Sequence, residues 1–82
     1  MAFNNIDVYI IVLKNAITPR QFSRFERFLS NQNVEIKANH SFIKMLTVDI
    51  PHESLESLVA QIRRRAVVES IEEDQIIYGG FK

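Results

Sequence analysis

The sequence predicts an α+β fold, with two helices packed on one face of a four-stranded antiparallel sheet, on three observations. Four segments have the residue types and periods of β-strands, and two have the apolar stripe and start signals of helices. These segments follow the order strand, helix, strand, strand, helix, strand. Eighty-two residues hold one such unit and no second core, so a single domain spans 1–82. A chain this short buries only about 60–65% of the surface its unfolded form exposes.

The first strand is expected over residues 7–14, which are rich in β-branched and aromatic types. It is apolar on both parities, with Val8, Ile10 and Val12 on one face and Tyr9, Ile11 and Leu13 on the other. That is the pattern of a central strand with both faces covered. Thr18-Pro19-Arg20-Gln21 announces a helix: Thr18 as N-cap, Pro19 at the first helical position, and Gln21 completing a capping box. Phe22, Phe25, Phe28 and Leu29 form its apolar stripe, and the polar stretch at residues 30–33 ends it.

Val34, Ile36 and Ala38 then alternate with Glu35, Lys37 and Asn39, the period of a half-buried strand. After a turn around residues 40–43, Leu46, Val48 and Ile50 alternate with Met45, Thr47 and Asp49 until Pro51. Residues 52–65 read as the second helix, with Leu55, Leu58, Val59 and Ile62 inward. Its acids Glu53 and Glu56 lie near the N-terminus and Arg63, Arg64 and Arg65 near the C-terminus, complementing the helix dipole. A last strand is expected over about residues 67–77, followed by Gly79-Gly80. This order is the split-βαβ, ferredoxin-like βαββαβ arrangement.

Composition narrows the function classes. The absence of cysteine excludes disulfide frameworks, thiolate metal sites and cysteine nucleophiles. Acidic and basic side chains balance to a formal net charge of zero, whereas a nucleic-acid binder normally carries a basic excess. The longest apolar run, residues 8–13, is too short to cross a bilayer. The first residues, Met-Ala-Phe-Asn-Asn, lack the basic and apolar regions of a signal peptide. The reading is therefore no nucleic acid, no membrane and no cofactor, and a monomer when free.

Catalytic chemistry finds little support. His40 and His52 have no spacing partner for a metal pair, so no metal site is expected. Ser41, Ser54, Ser57 and Ser70 lie outside any nucleophile elbow. The two glycines stand at the end of the chain, leaving none for a phosphate loop. The loop Asn15-Ala16-Ile17 offers neither the arginine nor the glycine that an acylphosphatase of this topology needs. Residues 44–48 lack the aromatics of an RNA-recognition strand. The chain reads as a binding protein, not an enzyme. With both helices on one face of the sheet, Tyr9, Ile11 and Met45 are expected on the uncovered face, as an interaction surface.

Four segments carry a family resemblance: Tyr9-Ile-Ile-Val-Leu-Lys14, the Thr18-Pro19 helix start, Glu53-Ser-Leu-Glu-Ser-Leu58, and above all Val68-Glu-Ser-Ile-Glu-Glu-Asp74. Together they resemble the inhibitor propeptide of subtilisin-like serine proteases and its free-standing relatives, the small cytosolic proteinase inhibitors of fungi. The resemblance spans nearly the whole chain in the right order, and the closing acidic motif is its most specific part. Two features depart from the family pattern. Met45-Leu46 takes the place of a glycine followed by an aromatic, and the second helix reads a few residues longer.

The resemblance implies a partner, a subtilisin-like serine protease, and an inhibitory or chaperone-like role. The open sheet face would pack on two parallel helices of the enzyme, with Glu72 and Asp74 capping their N-termini. Residues 75–82 would form an inhibitory tail extended in the substrate groove, with Ile76, Ile77, Tyr78, Gly79, Gly80 and Phe81 in the subsites. One register puts Ile77 in the fourth subsite and Gly80 at the scissile position; the other puts Tyr78 and Phe81 there. Spacing favours the first register and the size of the primary pocket favours the second. If Met1 is the natural start the protein is expected to be cytoplasmic, and otherwise part of a secreted or vacuolar protease precursor. The competing expectation is a ferredoxin-like interaction or regulatory domain with no protease target, in which Glu72, Glu73 and Asp74 are a solvated edge that discourages aggregation.

Overall fold

The computed structural model describes residues 6–74. Strand β1 spans Ile6–Leu13, helix α1 Pro19–Asn31, β2 Glu35–His40, β3 Met45–Pro51, α2 Leu55–Arg63 and β4 Val68–Glu73. Short 3₁₀ turns at Ser41–Ile43 and His52–Ser54 lead into β3 and α2. The strands lie in the order β2-β3-β1-β4, and every neighbouring pair is antiparallel. This is the expected α+β, ferredoxin-like arrangement, with β1 and β3 as the inner strands.

Local chemistry sets the ends of α1. The Thr18 hydroxyl accepts from the Gln21 backbone N–H at 3.1 Å, and the Gln21 side chain accepts from the Thr18 N–H at 2.9 Å, so the capping box is complete. At the other end Asn33 adopts a left-handed conformation, φ 64°. The Val34 N–H donates to the Leu29 carbonyl and the Asn33 N–H to the Ser30 carbonyl. That is a Schellman closure, and both Leu29 and Val34 are buried. The second helix is shorter than residues 52–65 suggest. Pro51 leads into a 3₁₀ turn, and the α-helical part is Leu55–Arg63.

One core holds the domain together. Phe22, Phe25 and Leu29 from α1 and Leu58 and Ile62 from α2 pack on Ile11, Leu13, Leu46, Val48, Ile50 and Ile71 from the sheet. Each fully buried side chain of this size contributes roughly 1.5–3 kcal/mol relative to exposure. Phe28 is half-buried at the margin, under the Arg65 guanidinium, which lies 4.0 Å from its ring centre.

The expected orientation of β1 is inverted. Ile11 is fully buried under the helices, and Tyr9 packs against the same core beside α2. These two residues therefore belong to the covered face, not the open one. Antiparallel partners share a sheet face, and Tyr9 and Ile11 stand opposite Val48 and Leu46, whose side chains are fully buried. The exposed parity of β1 is Val8, Ile10 and Val12.

Two bulges alter the edge strands. In β2 the register shifts at Lys37, so Ile36 faces Val48 but Ala38 faces Thr47. The extra residue turns Ala38 to the open face, against the simple alternation of Val34, Ile36 and Ala38. In β4 the shift between Val12 and Leu13 leaves Glu69 without a cross-strand partner. It allows Val68 and Ile71, three residues apart, both to reach the core.

Candidate functional site

No described element covers the sheet face opposite the helices. The pairings set its side chains in three rows across four strands. The first runs Asp74, Val8, Asp49, Glu35; the second Glu72, Ile10, Thr47, Ala38; the third Ser70, Val12, Met45, His40. In the first row Asp74 takes its place through its backbone N–H, which donates to the Val8 carbonyl at 2.8 Å.

The face therefore has an apolar stripe down its centre, made of Val8, Ile10 and Val12, with Met45 beside Val12. All four side chains are half-buried by their strand neighbours alone. Glu72 and Asp74 flank the stripe on the β4 side, two residues apart and on one face. Met45, expected on the uncovered side, lies on it, while Tyr9 and Ile11 do not.

Carboxylates concentrate at one end of this surface. Asp49 and Glu35 are direct cross-strand partners, an unfavourable placement for like charges. Lys37 lies 3.8 Å from the Asp49 carboxylate and offsets that repulsion, and the bulge at Lys37 lets its side chain reach across. Sequence alternation puts Glu35, Lys37 and Asp49 on the polar side of their strands, but only the register makes Glu35 and Asp49 partners.

On the covered face, Tyr9 stands opposite Glu73 at the rim of a groove lined by Leu55, Val59 and Arg63. Its phenol pKa is raised above 10.0, first by burial and then by the Glu73 and Asp7 carboxylates, with Arg63 opposing the shift. The His52 ring bonds through Nδ1 to the Asp7 carboxylate at 2.8 Å, so His52 ties the second helix entry to β1.

The hydroxyls and histidines do not assemble into one constellation. Ser57 accepts from the Gln61 side chain, Ser70 is on the open face, and His40 ends β2. Among the described residues no group of three His, Cys, Asp or Glu side chains is arranged to hold a metal ion. Among the same residues no helix is long and apolar enough to cross a membrane. Phe42 and Ile43 stand exposed on the 3₁₀ turn before β3, where no periodicity in the sequence marks them. The tail residues Ile76, Ile77, Tyr78, Gly79, Gly80 and Phe81 lie outside the described residues, as does the expected part of the last strand beyond Asp74.

No family model matches this chain, and no curated protein is significantly similar to it in sequence.

Proposed function

We propose that this chain is a protein inhibitor of subtilisin-like serine proteases. Its open sheet face docks on the enzyme, and residues 75–82 enter the substrate groove. The observation that carries the reading is the shared face of Val8, Ile10, Val12, Glu72 and Asp74. An apolar stripe buries well against two surface helices, and carboxylates at its margin suit helix N-termini, where unpaired N–H groups carry partial positive charge. The resemblance of Val68-Glu-Ser-Ile-Glu-Glu-Asp74 to the closing motif of the propeptide inhibitors names the enzyme class.

In this mechanism the body supplies affinity and the tail supplies blockade. An extended tail pairs with the enzyme's substrate-binding strands, as a substrate does. A chain that binds only the folded protease also favours that state by mass action, which gives the same surface a chaperone-like action.

The test is an inhibition assay against a subtilisin with the full chain and a chain ending at Asp74. The shorter chain is expected to bind without blocking the groove, so equal potency removes the tail from the mechanism. Replacing Glu72 and Asp74 together by Ala is expected to weaken inhibition about ten-fold or more. The same change at Glu56, exposed on α2, is expected to leave it unaltered. If the full chain inhibits no subtilisin, the domain is a ferredoxin-like interaction module with another target.

A further inference from the structure

All the arginines of the chain stand on α1 (Arg20, Arg24, Arg27) or where α2 closes (Arg63, Arg64, Arg65). Arg24 from the first group and Arg64 and Arg65 from the second line one cleft of about 360 Å³, together with Gln21, Phe25 and Val67. Among the described residues the carboxylate contacts of basic side chains are Lys37 with Asp49 and the His52 ring with Asp7, so none of these guanidiniums is ion-paired there.

Compensation of the α2 dipole accounts for arginines in its last turn. It does not account for Arg24, which comes from the middle of α1 and lines the same cleft. Nor does it account for the residue type, since neither helix contains a lysine. A solvated basic surface is served equally by lysine. The planar guanidinium fork is distinguished by its match to phosphate oxygens. The Arg65 guanidinium is also held in place over the Phe28 ring, a contact that leaves its in-plane donors available.

We propose that this cleft binds a small phosphate-bearing anion of the size of a di- or triphosphate. Three guanidiniums with no ion pair among the described residues, drawn from both helix regions, complement several negative charges at once, and the anion relieves their mutual repulsion. The volume suits a short phosphate chain, not the extended basic groove of a nucleic-acid track. No aromatic face is offered to a base: Phe25 is buried, and the Phe28 ring is covered by Arg65. The phosphate chain itself is the recognised group. The site is independent of the protease reading, whose described residues Val8, Ile10, Val12, Glu72 and Asp74 lie on the opposite face of the sheet.

The experiment is an NMR titration of the isotope-labelled full chain with tripolyphosphate at low ionic strength, with citrate as a carboxylate anion for comparison. Saturable shifts are expected around Arg24, Arg64 and Arg65, with citrate binding more weakly. Arg24→Gln and Arg64→Gln are each expected to weaken binding about five-fold. Both positions are exposed, and unchanged circular dichroism checks that the variants fold. Arg20→Gln, on α1 but outside the cleft, is expected to bind as the parent does. The proposal is overturned by an absence of saturable shifts, by equal weakening in Arg20→Gln, or by citrate binding as tightly as tripolyphosphate.

Discussion

Ile10 and Glu72 stand directly opposite each other on β1 and β4, on the side of the sheet away from both helices. The pairing couples an apolar stripe to an acidic margin. One residue further along each strand, Ile11 and Ile71 form the next pair on the opposite face, inside the core. Adjacent positions of β1 therefore have different duties.

That difference gives the first prediction. Ile11→Ala is expected to cost about 2–4 kcal/mol of stability, since it empties part of a fully buried site. Ile10→Ala is expected to cost less than about 1 kcal/mol while weakening the proposed protease inhibition. Urea denaturation of both variants, followed by an inhibition assay on the Ile10 variant, checks the pair. Similar losses of stability would contradict the assignment of faces.

The capping box at the start of α1 gives a second. Thr18→Ala removes the acceptor for the Gln21 N–H and is expected to destabilise the domain by about 1 kcal/mol. Thr18→Ser keeps the acceptor and is expected to lose much less. Thermal melts of the two variants separate loss of the hydroxyl from loss of the methyl group.

Lys44 gives a third, because it sits in the left-handed region with φ 59°. For a residue with a Cβ that conformation costs roughly 1–2 kcal/mol, and glycine avoids it. Glycine also loses more chain entropy on folding, by roughly 0.5–1 kcal/mol. Lys44→Gly is therefore expected to stabilise the fold by about 0.5 kcal/mol. A chemical-denaturation midpoint no higher than that of the parent would refute it.

A fourth concerns alkaline pH. Tyr9 has a raised pKa in the folded state, so the unfolded chain loses this proton first as pH rises above 10.0. The folded state then binds more protons than the unfolded one, and stability falls with rising pH through that window. Below it Tyr9 is protonated in both states and contributes no pH dependence. Tyr9→Phe is expected to flatten the part of the alkaline decline due to this group, measured as denaturation midpoints between neutral and alkaline pH.

Much of the fold is legible in short stretches of sequence. Thr18, Pro19 and Gln21 specify the start of α1 through bonds made within four residues, so their effect needs no tertiary contact. The strict alternation of Leu46, Val48 and Ile50 identifies the buried side of β3. The closing acids are legible as well: Glu72 lies in β4 opposite Ile10, and Asp74, two positions on and just past the strand's end, keeps the ladder through its backbone bond to Val8. The Arg24, Arg64 and Arg65 cleft is not legible, because it joins residues some forty positions apart.

By itself the sequence determined the order of the elements, the ends of α1 and the alternation of β3, because each rests on periodicity or on bonds between near neighbours. Only the tertiary structure decided which side of β1 meets the helices. Both parities of that strand are apolar, so burial alone is nearly degenerate between them. The tie is broken by register: β3 presents Leu46 and Val48 to the helices, and antiparallel pairing forces Ile11 and Tyr9 to the same side. The bulges at Lys37 and Glu69 belong to the same class, since an extra residue is visible only against the partner strand. The open surface of Val8, Ile10, Val12 and Met45 is thus a consequence of pairing, not of the hydrophobicity of β1.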